Sequence, residues 1–498
     1  MKFVLDERYR LRGWEKLPFA LFDSVTRRTE FYDKNQFMLL MRCDGVQEVD
    51  EEALPEAQRK WLARLEREGV ISRCGPGAML LPQQLYKMYP CRYKRDVHWS
   101  ITGRCNYKCK HCLVSAPHAK FGHPTTAQLL RLVEQMASCG IASVSITGGE
   151  PLIREDFWQI VDALVEHGIG IGAVFSNGYL VNDALLDGFE ERGLRPGFQM
   201  SYDGVGWHDW LRGFKGAESA VDHAFRLLRD RGFHADAAMC LHRGNAHTIR
   251  ASVRHLASLG VSNLKINRIQ ELGEWASASE EVSLTQDESL QLYLDYIPLY
   301  FEDDCPLSIM LDGAFTYDPE EPYFMGMEYC RPCATDSRSE RRLSCGILKA
   351  SMYIGPDGTV CPCMSMTDSQ VGDWPNVFET PLATILGENE FMNRCSATVG
   401  QVRDANPKCR SCAYLDRCNG GCRASAVCAG PDYLGIDPST CHFFQGSWYE
   451  RFKEVGEAAR DTYLERHPEI AERVKSGTTE RGAFEGDEDD AIAPFSNC

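Results

Sequence analysis

The chain has 498 residues, and its 71 acidic and 54 basic side chains give a formal net charge of −17. This acidic balance argues against nucleic acid or an anionic membrane surface as the main partner, because both favour clustered cations. The N-terminus lacks the regions of a signal peptide and no apolar run is long enough to span a membrane, so we expect a cytoplasmic protein. Thiols stay reduced there, and the 22 cysteines therefore indicate metal binding.

Residues 1–90 are predicted to form a small module. The apolar stretches Lys2–Leu11 and Thr29–Met41 are predicted strands, a turn is expected at Asp44, and Leu54–Val70 places leucines along one face of a helix. A domain that only packs against its neighbours would satisfy this pattern. The alternative is a winged-helix-like module that presents a strand edge to a peptide.

Between residues 91 and 304 the pattern changes to short apolar runs that alternate with amphipathic segments. Six units of strand then helix favour an α/β fold with a parallel sheet, either open or closed into a barrel. Ligands then belong at the carboxyl ends of the strands. The predicted strands are Val97–Thr102, Ser143–Thr147, Gly170–Ser176, Gly197–Tyr202, Ala235–Leu241 and Leu264–Ile269, and the predicted helices include Thr126–Ser138, Glu155–His167, Ala217–Arg231, His247–Ser258 and Leu284–Phe301.

The rest of the chain has a different composition. Residues 305–450 are rich in cysteine, glycine and proline and show little apolar periodicity, so metal ligands would have to replace part of a hydrophobic core. Residues 451–498 continue a helical segment predicted over Phe443–Lys475, with an interruption near Pro468, and then form an acidic tail that is predicted to be disordered.

Three cysteines follow the first predicted strand of the alternating region in the spacing C-x3-C-x2-C. They are Cys105, Cys109 and Cys112, and a four-iron cluster held by only three thiolates keeps one iron open to another ligand. Structural zinc usually has four ligands, and His111 or His118 could complete such a site. The spacing favours the iron–sulfur cluster, with zinc as the alternative.

This cysteine loop is the signature of radical S-adenosylmethionine (SAM) enzymes, and further matches follow in the order of that family. A Gly-Gly-Glu motif follows the second strand, a Ser-Asn pair follows the third, and a segment that resembles the family's fourth-strand region contains Ser201 and Arg212. In relatives, the equivalents of these last two residues contact the ribose and carboxylate of SAM, and an arginine fork suits a carboxylate. The candidate cofactor-binding residues are His111, Gly148, Gly149, Glu150, Ser176, Asn177, Ser201 and Arg212.

The resemblance implies a partial (β/α)6 barrel and a radical mechanism. In this family the open iron chelates SAM, one electron cleaves the sulfonium, and the resulting 5′-deoxyadenosyl radical abstracts a hydrogen atom from the substrate. The cofactors supply this chemistry, while the protein positions them and excludes water.

A second set of cysteines resembles the SPASM pattern of auxiliary iron–sulfur domains. A zinc ribbon would explain an isolated C-x2-C pair, but seven cysteines here follow the pattern C-x9–15-G-x4-C, C-x2-C-x5-C-x3-C and a last cysteine. The resemblance implies two auxiliary clusters, and hence three [4Fe-4S] clusters in all. The distal cluster would be held by Cys409, Cys412, Cys418 and Cys441, and the one nearer SAM by Cys345, Cys363 and Cys422, with its fourth ligand left open among Cys330, Cys333, Cys361 and a substrate thiolate.

Enzymes with this pair of domains mostly act on peptides, and residues 1–90 are similar to the precursor recognition elements of ribosomal peptide maturases. The resemblance implies a maturase that binds the leader of a precursor peptide, takes electrons from a flavodoxin- or ferredoxin-type donor, and installs a thioether or carbon–carbon cross-link. The alternatives are a protein-directed oxidase of the sulfatase-maturing type, an epimerase or peptide-excising enzyme, and a non-catalytic iron–sulfur electron carrier or peptide-binding scaffold. The sequence identifies no general base.

Overall fold

A computed structural model of the chain describes residues 1–277, 282–322, 325–326, 341–367, 374–430 and 432–482. Two sequence predictions, the ligand candidates Cys330 and Cys333 and the acidic tail, lie outside these residues. Within the described ranges, no helix is both long enough and apolar enough to cross a membrane.

The N-terminal part of the chain combines a four-stranded sheet with two helices. Its elements are β1 (Phe3–Leu5), β2 (Tyr9–Glu15), β3 (Leu17–Asp23), β4 (Thr29–Phe31), α1 (Lys34–Met41), α2 (Glu56–Arg67), β5 (Ile71–Arg73) and β6 (Lys87–Arg92). The sheet has the order β4-β3-β2-β6, and β1 pairs separately with β5. A small core of its own packs the helices against these strands, with Phe3, Phe37 and Leu62 nearly fully buried.

The prediction of one strand over Thr29–Met41 is wrong beyond Phe31. Asp33 ends the strand and starts α1, because its carboxylate accepts hydrogen bonds from the amides of Asn35 (2.7 Å) and Gln36 (2.9 Å), and the Gln36 side chain accepts from the Asp33 amide (3.2 Å). This reciprocal capping box is a strong helix start. The apolar residues after it therefore form a helix face rather than a strand.

The central part of the chain contains seven consecutive parallel strands. Its elements are β7 (Asp96–Ser100), α3 (Thr126–Ser138), β8 (Ser143–Thr147), α4 (Phe157–Glu166), β9 (Gly170–Ser176), α5 (Asp183–Glu191), β10 (Gly197–Ser201), α6 (His208–Arg212), α7 (Ala217–Asp230), β11 (Ala235–Leu241), α8 (Ile249–Ser258), β12 (Asn263–Arg268), α9 (Gln286–Glu302) and β13 (Ser308–Leu311). The six predicted strands are confirmed close to their predicted bounds. The structure also contains α5, α6 and β13, which were not among the predicted elements. The last two are too short to give a clear periodic signal.

The parallel sheet continues at both edges into the cysteine-rich part of the chain. At one edge β14 (Phe315–Tyr317) and β15 (Met325–Gly326) follow β13 in antiparallel pairing. At the other edge β16 (Ser351–Ile354) pairs in parallel with β7, and β17 (Val360–Cys361) pairs with β16. The result is an eleven-stranded sheet, so part of the cysteine-rich region is anchored directly to the first barrel strand.

The two faces of this sheet differ in polarity. On β10, Phe198 and Met200 belong to the apolar core, whereas Gln199 and Ser201 on the opposite face are only half-buried. Strand β12 repeats the alternation, with half-buried Lys265 on the second face. Helices cover the apolar face, and the polar face lines an interior that is open to a ligand.

The C-terminal part of the chain is a set of short helices followed by longer ones. They are α10 (Ile347–Ala350), α11 (Leu382–Ile385), α12 (Glu390–Cys395), α13 (Val399–Ala405), α14 (Pro407–Arg410), α15 (Leu415–Cys418), α16 (Arg423–Ala429), α17 (Pro438–Gln445), α18 (Trp448–Arg466) and α19 (Pro468–Gly482). The predicted helical segment near the C-terminus is therefore three helices, and Pro468 stands at the first position of α19, where a proline is tolerated.

Candidate functional site

The predicted SAM-cluster cysteines lie on the loop that follows β7, at the carboxyl end of the strand. Cys105, Cys109 and Cys112 are half-buried. Backbone amides point at two of the sulfurs, because Tyr107 N donates to Cys105 Sγ over 3.4 Å and Ala116 N donates to Cys112 Sγ over 3.3 Å. Hydrogen bonds to the sulfurs are one of the means by which proteins tune an iron–sulfur cluster, so the loop fits such a cluster.

Gly148 and Gly149, two of the predicted SAM-binding residues, let the loop after β8 lie directly against the cysteine loop. Gly149 N donates to Thr102 O (2.7 Å), and Glu150 N donates to Arg104 O (2.9 Å). A Cβ atom on Gly148 would stand 2.6 Å from Thr102 O, and one on Gly149 only 2.2 Å from Arg104 O. The glycines are therefore required by backbone packing, whereas their contact with SAM stays a prediction.

Glu150 ties the ends of β8 and β9 together beneath the cysteine loop. Its fully buried carboxylate accepts hydrogen bonds from Ser176 Oγ (3.0 Å) and from the amide of Asn177 (2.8 Å). Burial raises the pKa of Glu150 to about 7, although these donors favour the ionised form. Asn177 Nδ2 in turn donates to Asn106 Oδ1 (2.8 Å) and lies 3.9 Å from Cys105 Sγ. Three predicted site residues thus form one network with the loop.

Arg212 is held by a carboxylate to which the sequence analysis assigned no role. Fully buried Asp203 accepts from Arg212 Nε (2.6 Å) and Nη2 (3.1 Å), and also from the amide of Cys240 (3.0 Å). Burial opposes ionisation of Asp203, but the Arg212 guanidinium outweighs it and holds the pKa of Asp203 below its usual range. The remaining nitrogen, Nη1, lies 3.8 Å from Cys109 Sγ. Ser201 stands nearby at the end of β10, half-buried.

The two histidines proposed as zinc ligands have different surroundings. A ligand atom of His111 lies within 4.8 Å of ligand atoms of Asp203 and Cys240, and burial lowers the pKa of His111 to about 3, so its ring is neutral. The Nδ1 atom of His111 is buried without a hydrogen-bond partner. His118 is largely exposed, with Nε2 3.6 Å from Glu274. The structure groups His111, but not His118, with the buried residues of the site.

Four of the predicted auxiliary-cluster cysteines surround one cavity. Its lining includes Cys409, Cys412, Cys418 and Cys441, the four that were assigned to the distal cluster. These residues come from the helices α14, α15 and α17 and the turns between them. Four thiols around a single cavity, with glycines on its wall, fit the tetrahedral set of ligands that a four-iron cluster requires.

The three cysteines assigned to the nearer cluster lie on segments that pack together. Cys363 and Cys422 contact the same small apolar cluster, in which Cys361 is fully buried. The segment before Cys345 is tied to this region because Asn419 Nδ2 donates to Leu343 O (3.0 Å). Burial raises the pKa of the Cys361 thiol, and the two other candidates for the fourth ligand lie outside the described residues.

Asp437, which is not among the predicted site residues, connects the two sets of auxiliary ligands. Its carboxylate lines the distal cavity and accepts hydrogen bonds from the amide of Cys422 (2.8 Å), from Ser425 Oγ (2.6 Å) and from the amide of Ser439 (2.9 Å). The Asp-Pro-Ser-Thr run at the start of α17 is a recognisable N-cap signal, and it could have identified this residue.

A small cavity lies between the cysteine loop and the auxiliary ligands. It is lined by Leu113 of that loop, by Gly273, and by Met364 and Thr367, which follow Cys363. The cavity therefore adjoins both predicted metal regions.

We expect anaerobically reconstituted protein to contain roughly twelve irons per chain, since three four-iron clusters are predicted. Replacing the three cysteines of the loop after β7 by alanine should leave roughly eight irons and abolish release of 5′-deoxyadenosine from SAM. Replacing Cys409 and Cys412 by alanine should remove the distal cluster and also leave roughly eight irons per chain. Iron and acid-labile sulfide assays test this, with Cys74→Ala as the control. Stoichiometric zinc without sulfide would contradict the assignment.

Two family models match the chain, the radical SAM superfamily over residues 99–256 and an iron–sulfur cluster-binding (SPASM) domain over residues 345–413. The PqqA peptide cyclase of Granulibacter bethesdensis is 24% identical over 343 residues, which cover 68% of this chain and 85% of the relative. The mycofactocin maturase MftC of Mycobacterium tuberculosis is 25% identical over 348 residues, which cover 68% of this chain and 81% of the relative.

The fold is also shared with a solved structure. SuiB of Streptococcus suis bound to S-adenosylmethionine superposes with a TM-score of 0.57 at 15% sequence identity, covering 88% of this chain and 99% of SuiB. Both predicted domains are matched at their expected places in the chain, and the motifs stand at the strand ends of the expected barrel. The chain thus contains a radical SAM domain followed by a SPASM domain.

Proposed function

We propose that the protein is a maturase that modifies a ribosomally synthesised precursor peptide and installs a thioether or carbon–carbon cross-link. The observation that carries this proposal is an N-terminal module with an open strand edge on the same chain as the cysteine loop and the cysteine-lined cavity. The names of the relatives support a peptide substrate, since one is a peptide cyclase, and SuiB has been solved with its precursor peptide SuiA.

The chain's own residues prepare the site for this chemistry. SAM and its cluster, when bound, supply the 5′-deoxyadenosyl radical that removes a hydrogen atom from the peptide. Glu150 and Asn177 hold the cysteine loop against the strand ends, and Asp203 fixes the orientation of Arg212. A flavodoxin- or ferredoxin-type protein in the cytoplasm is the proposed electron donor.

Closure of a cross-link releases a second hydrogen, as one electron and one proton. An auxiliary cluster held by the predicted SPASM cysteines would take up the electron, and the proton requires a base. Asp312 is suited to this role, because it directly follows β13 at the carboxyl end of the sheet and its side chain is exposed. It is held in a left-handed conformation (φ 47°), and its amide donates to Ile266 O (2.8 Å).

The surroundings of Asp312 favour proton uptake near neutral pH. Its carboxylate is reached by solvent on one side but is otherwise surrounded by protein, and this desolvation raises the pKa of Asp312 to about 6. Lys265 and Arg268 on β12 oppose the increase, and Asp437 reinforces it. A carboxylate with such a pKa can accept a proton and release it again at physiological pH.

The leader peptide is proposed to add a strand to β4, which is an edge strand of the N-terminal sheet. The Asp23 amide donates to Arg28 O (2.9 Å), and the Tyr32 amide donates to Phe19 O (2.9 Å). Hydrogen bonding alternates along an antiparallel pair, so the amide of Thr29 faces away from β3 and is open to a new strand. Helix α2 lies beside this edge through the contact of Trp61 with Tyr32, whose ring centroids are 5.4 Å apart.

The function is tested with the peptide encoded by a short reading frame beside this one. Incubated with reduced protein and SAM, the peptide should lose two hydrogen atoms per cross-link while 5′-deoxyadenosine accumulates, and tandem mass spectrometry should locate the new bond. The protein without its three loop cysteines is the control. Uptake of solvent deuterium with no loss of hydrogen would instead indicate an epimerase.

The edge-strand proposal predicts that Thr29→Pro weakens binding of the leader peptide by about tenfold or more, since it removes the outward amide but no hydrogen bond to β3. Thr29→Val keeps the amide and is the matched control, which should bind like the wild type. Fluorescence anisotropy with a labelled leader measures both affinities. Equal affinity for the proline variant and the wild type would place the leader elsewhere.

For the proposed base, cross-linking by the wild type should rise with pH through about 6, because Asp312 accepts a proton only when it is ionised. Asp312→Asn should remove this inflection and slow cross-linking by about 10²–10⁴-fold, while SAM cleavage continues. Asp304→Asn is the control, since Asp304 has a similar backbone conformation (φ 58°) but precedes β13. Unchanged cross-linking by Asp312→Asn would exclude this residue.

A further inference from the structure

Lys94 is a buried lysine for which the described residues supply no carboxylate partner. Its side chain is almost completely enclosed, with only 1% of the residue exposed. The amine donates to the carbonyl oxygen of Leu348 and hydrogen-bonds the thiol of Cys395, and no ion pair among the described residues includes it. Taking an ammonium group out of water is costly unless a negative charge compensates it.

The position of Lys94 brings its charge to one of the predicted cluster ligands. The residue lies two positions before β7, and the amide of its neighbour Arg95 donates to Ala350 O (2.7 Å), where β16 begins beside β7. Its amine therefore reaches α10, the short helix that starts two residues after Cys345. Among the described residues, the carbonyl oxygen and thiols around this amine cannot balance its charge.

Cys395, the second partner of the Lys94 amine, lies on a segment that runs beside the chain before Cys345. The Ser344 amide donates to Ala397 O (2.9 Å), and Leu343 forms a β-bridge with Thr398, so the chain before Cys345 runs antiparallel to the chain after Cys395. Arg92 adds a second positive charge near Lys94. The described residues near Cys345 thus include two basic side chains, Lys94 and Arg92.

We propose that Lys94 is the buried counter-charge of the auxiliary cluster that Cys345, Cys363 and Cys422 hold, and that it raises the reduction potential of this cluster. The proposal rests on the proposed function, in which an auxiliary cluster takes up the electron released by cross-linking. Net charge and burial are among the factors that set cluster potentials. A positive charge in a low-dielectric interior stabilises the reduced cluster, which carries one more negative charge.

The distal cluster offers a comparison within the same chain. Lys408 hydrogen-bonds Cys441 there, but it is an exposed residue. Water and salt screen an exposed charge far more than a buried one. The buried charge of Lys94 is therefore expected to act on the cluster nearer SAM more strongly than Lys408 acts on the distal cluster, while the buried Arg423 lies near ligands of both sets.

The test is an EPR-monitored redox titration of the full chain in which alanine replaces the three cysteines of the loop after β7, so that only the auxiliary clusters contribute. Lys94→Met has a similar length and no charge. It should shift one auxiliary cluster to a more negative potential and leave the other unchanged. Lys408→Met is the matched control, and it should not change the potential of the cluster that shifts in Lys94→Met. Two unshifted potentials in a Lys94→Met protein with full iron content would overturn the proposal.

Activity gives an independent measurement with intact loop cysteines. Lys94→Met should cleave SAM at the wild-type rate but form less cross-linked peptide for each 5′-deoxyadenosine released. If Lys94→Met loses iron, Lys94→Arg decides the question. If Lys94→Arg recovers the cluster at a potential near that of the wild type, the positive charge is what matters. Loss of the cluster in both variants would indicate that Lys94 only packs, and would overturn the proposal.

The failure of this proposal can be separated from failure of the proposed function. Finding a single auxiliary cluster in the wild type by iron and sulfide analysis would overturn the role of Lys94 and the assignment of Cys345. Peptide modification would still be decided by mass spectrometry of the product.

Discussion

Direct backbone contact between the loops after β7 and β8 is the constraint on which the whole site depends. Two hydrogen bonds join these loops, and they form only because residues 148 and 149 have no side chain to separate them. The contact fixes the cysteine loop at the carboxyl end of the sheet, where parallel strands bring their following loops together. Glu150 then extends the connection to β9, so that three strand ends support one metal-binding loop.

Compensation of buried charge is a second theme of the structure. Asp203 is buried with Arg212, and the pair adjoins Cys109. Asp437 is buried and satisfied by amides and hydroxyls between the two auxiliary ligand sets. Within the described residues, the partners of Lys94 are a carbonyl oxygen and a thiol, and the proposed cluster beside Cys345 would supply the missing negative charge. These three buried charges thus lie beside predicted cluster ligands.

Much of the fold was predictable from local patterns, and the errors have identifiable causes. The strands Ser143–Thr147 and Ala235–Leu241 were predicted to the residue, because each is a short apolar run between amphipathic helices. The error at Thr29–Met41 arose because an apolar run does not distinguish a strand from a helix, and the capping role of Asp33 was overlooked. Strands β13 and β16 were missed because they are only four residues long.

The sequence by itself predicted the ligand chemistry and the succession of strands and helices along the chain, because cysteine spacing and hydrophobic periodicity are local properties. Only the tertiary structure decided which distant groups meet. Asp203 occupies two nitrogens of the Arg212 fork, and Asp312 stands at the open end of the sheet. Lys94 meets Leu348 across 254 residues of sequence. Such contacts depend on how strands and loops pack in three dimensions, and no local spacing encodes them.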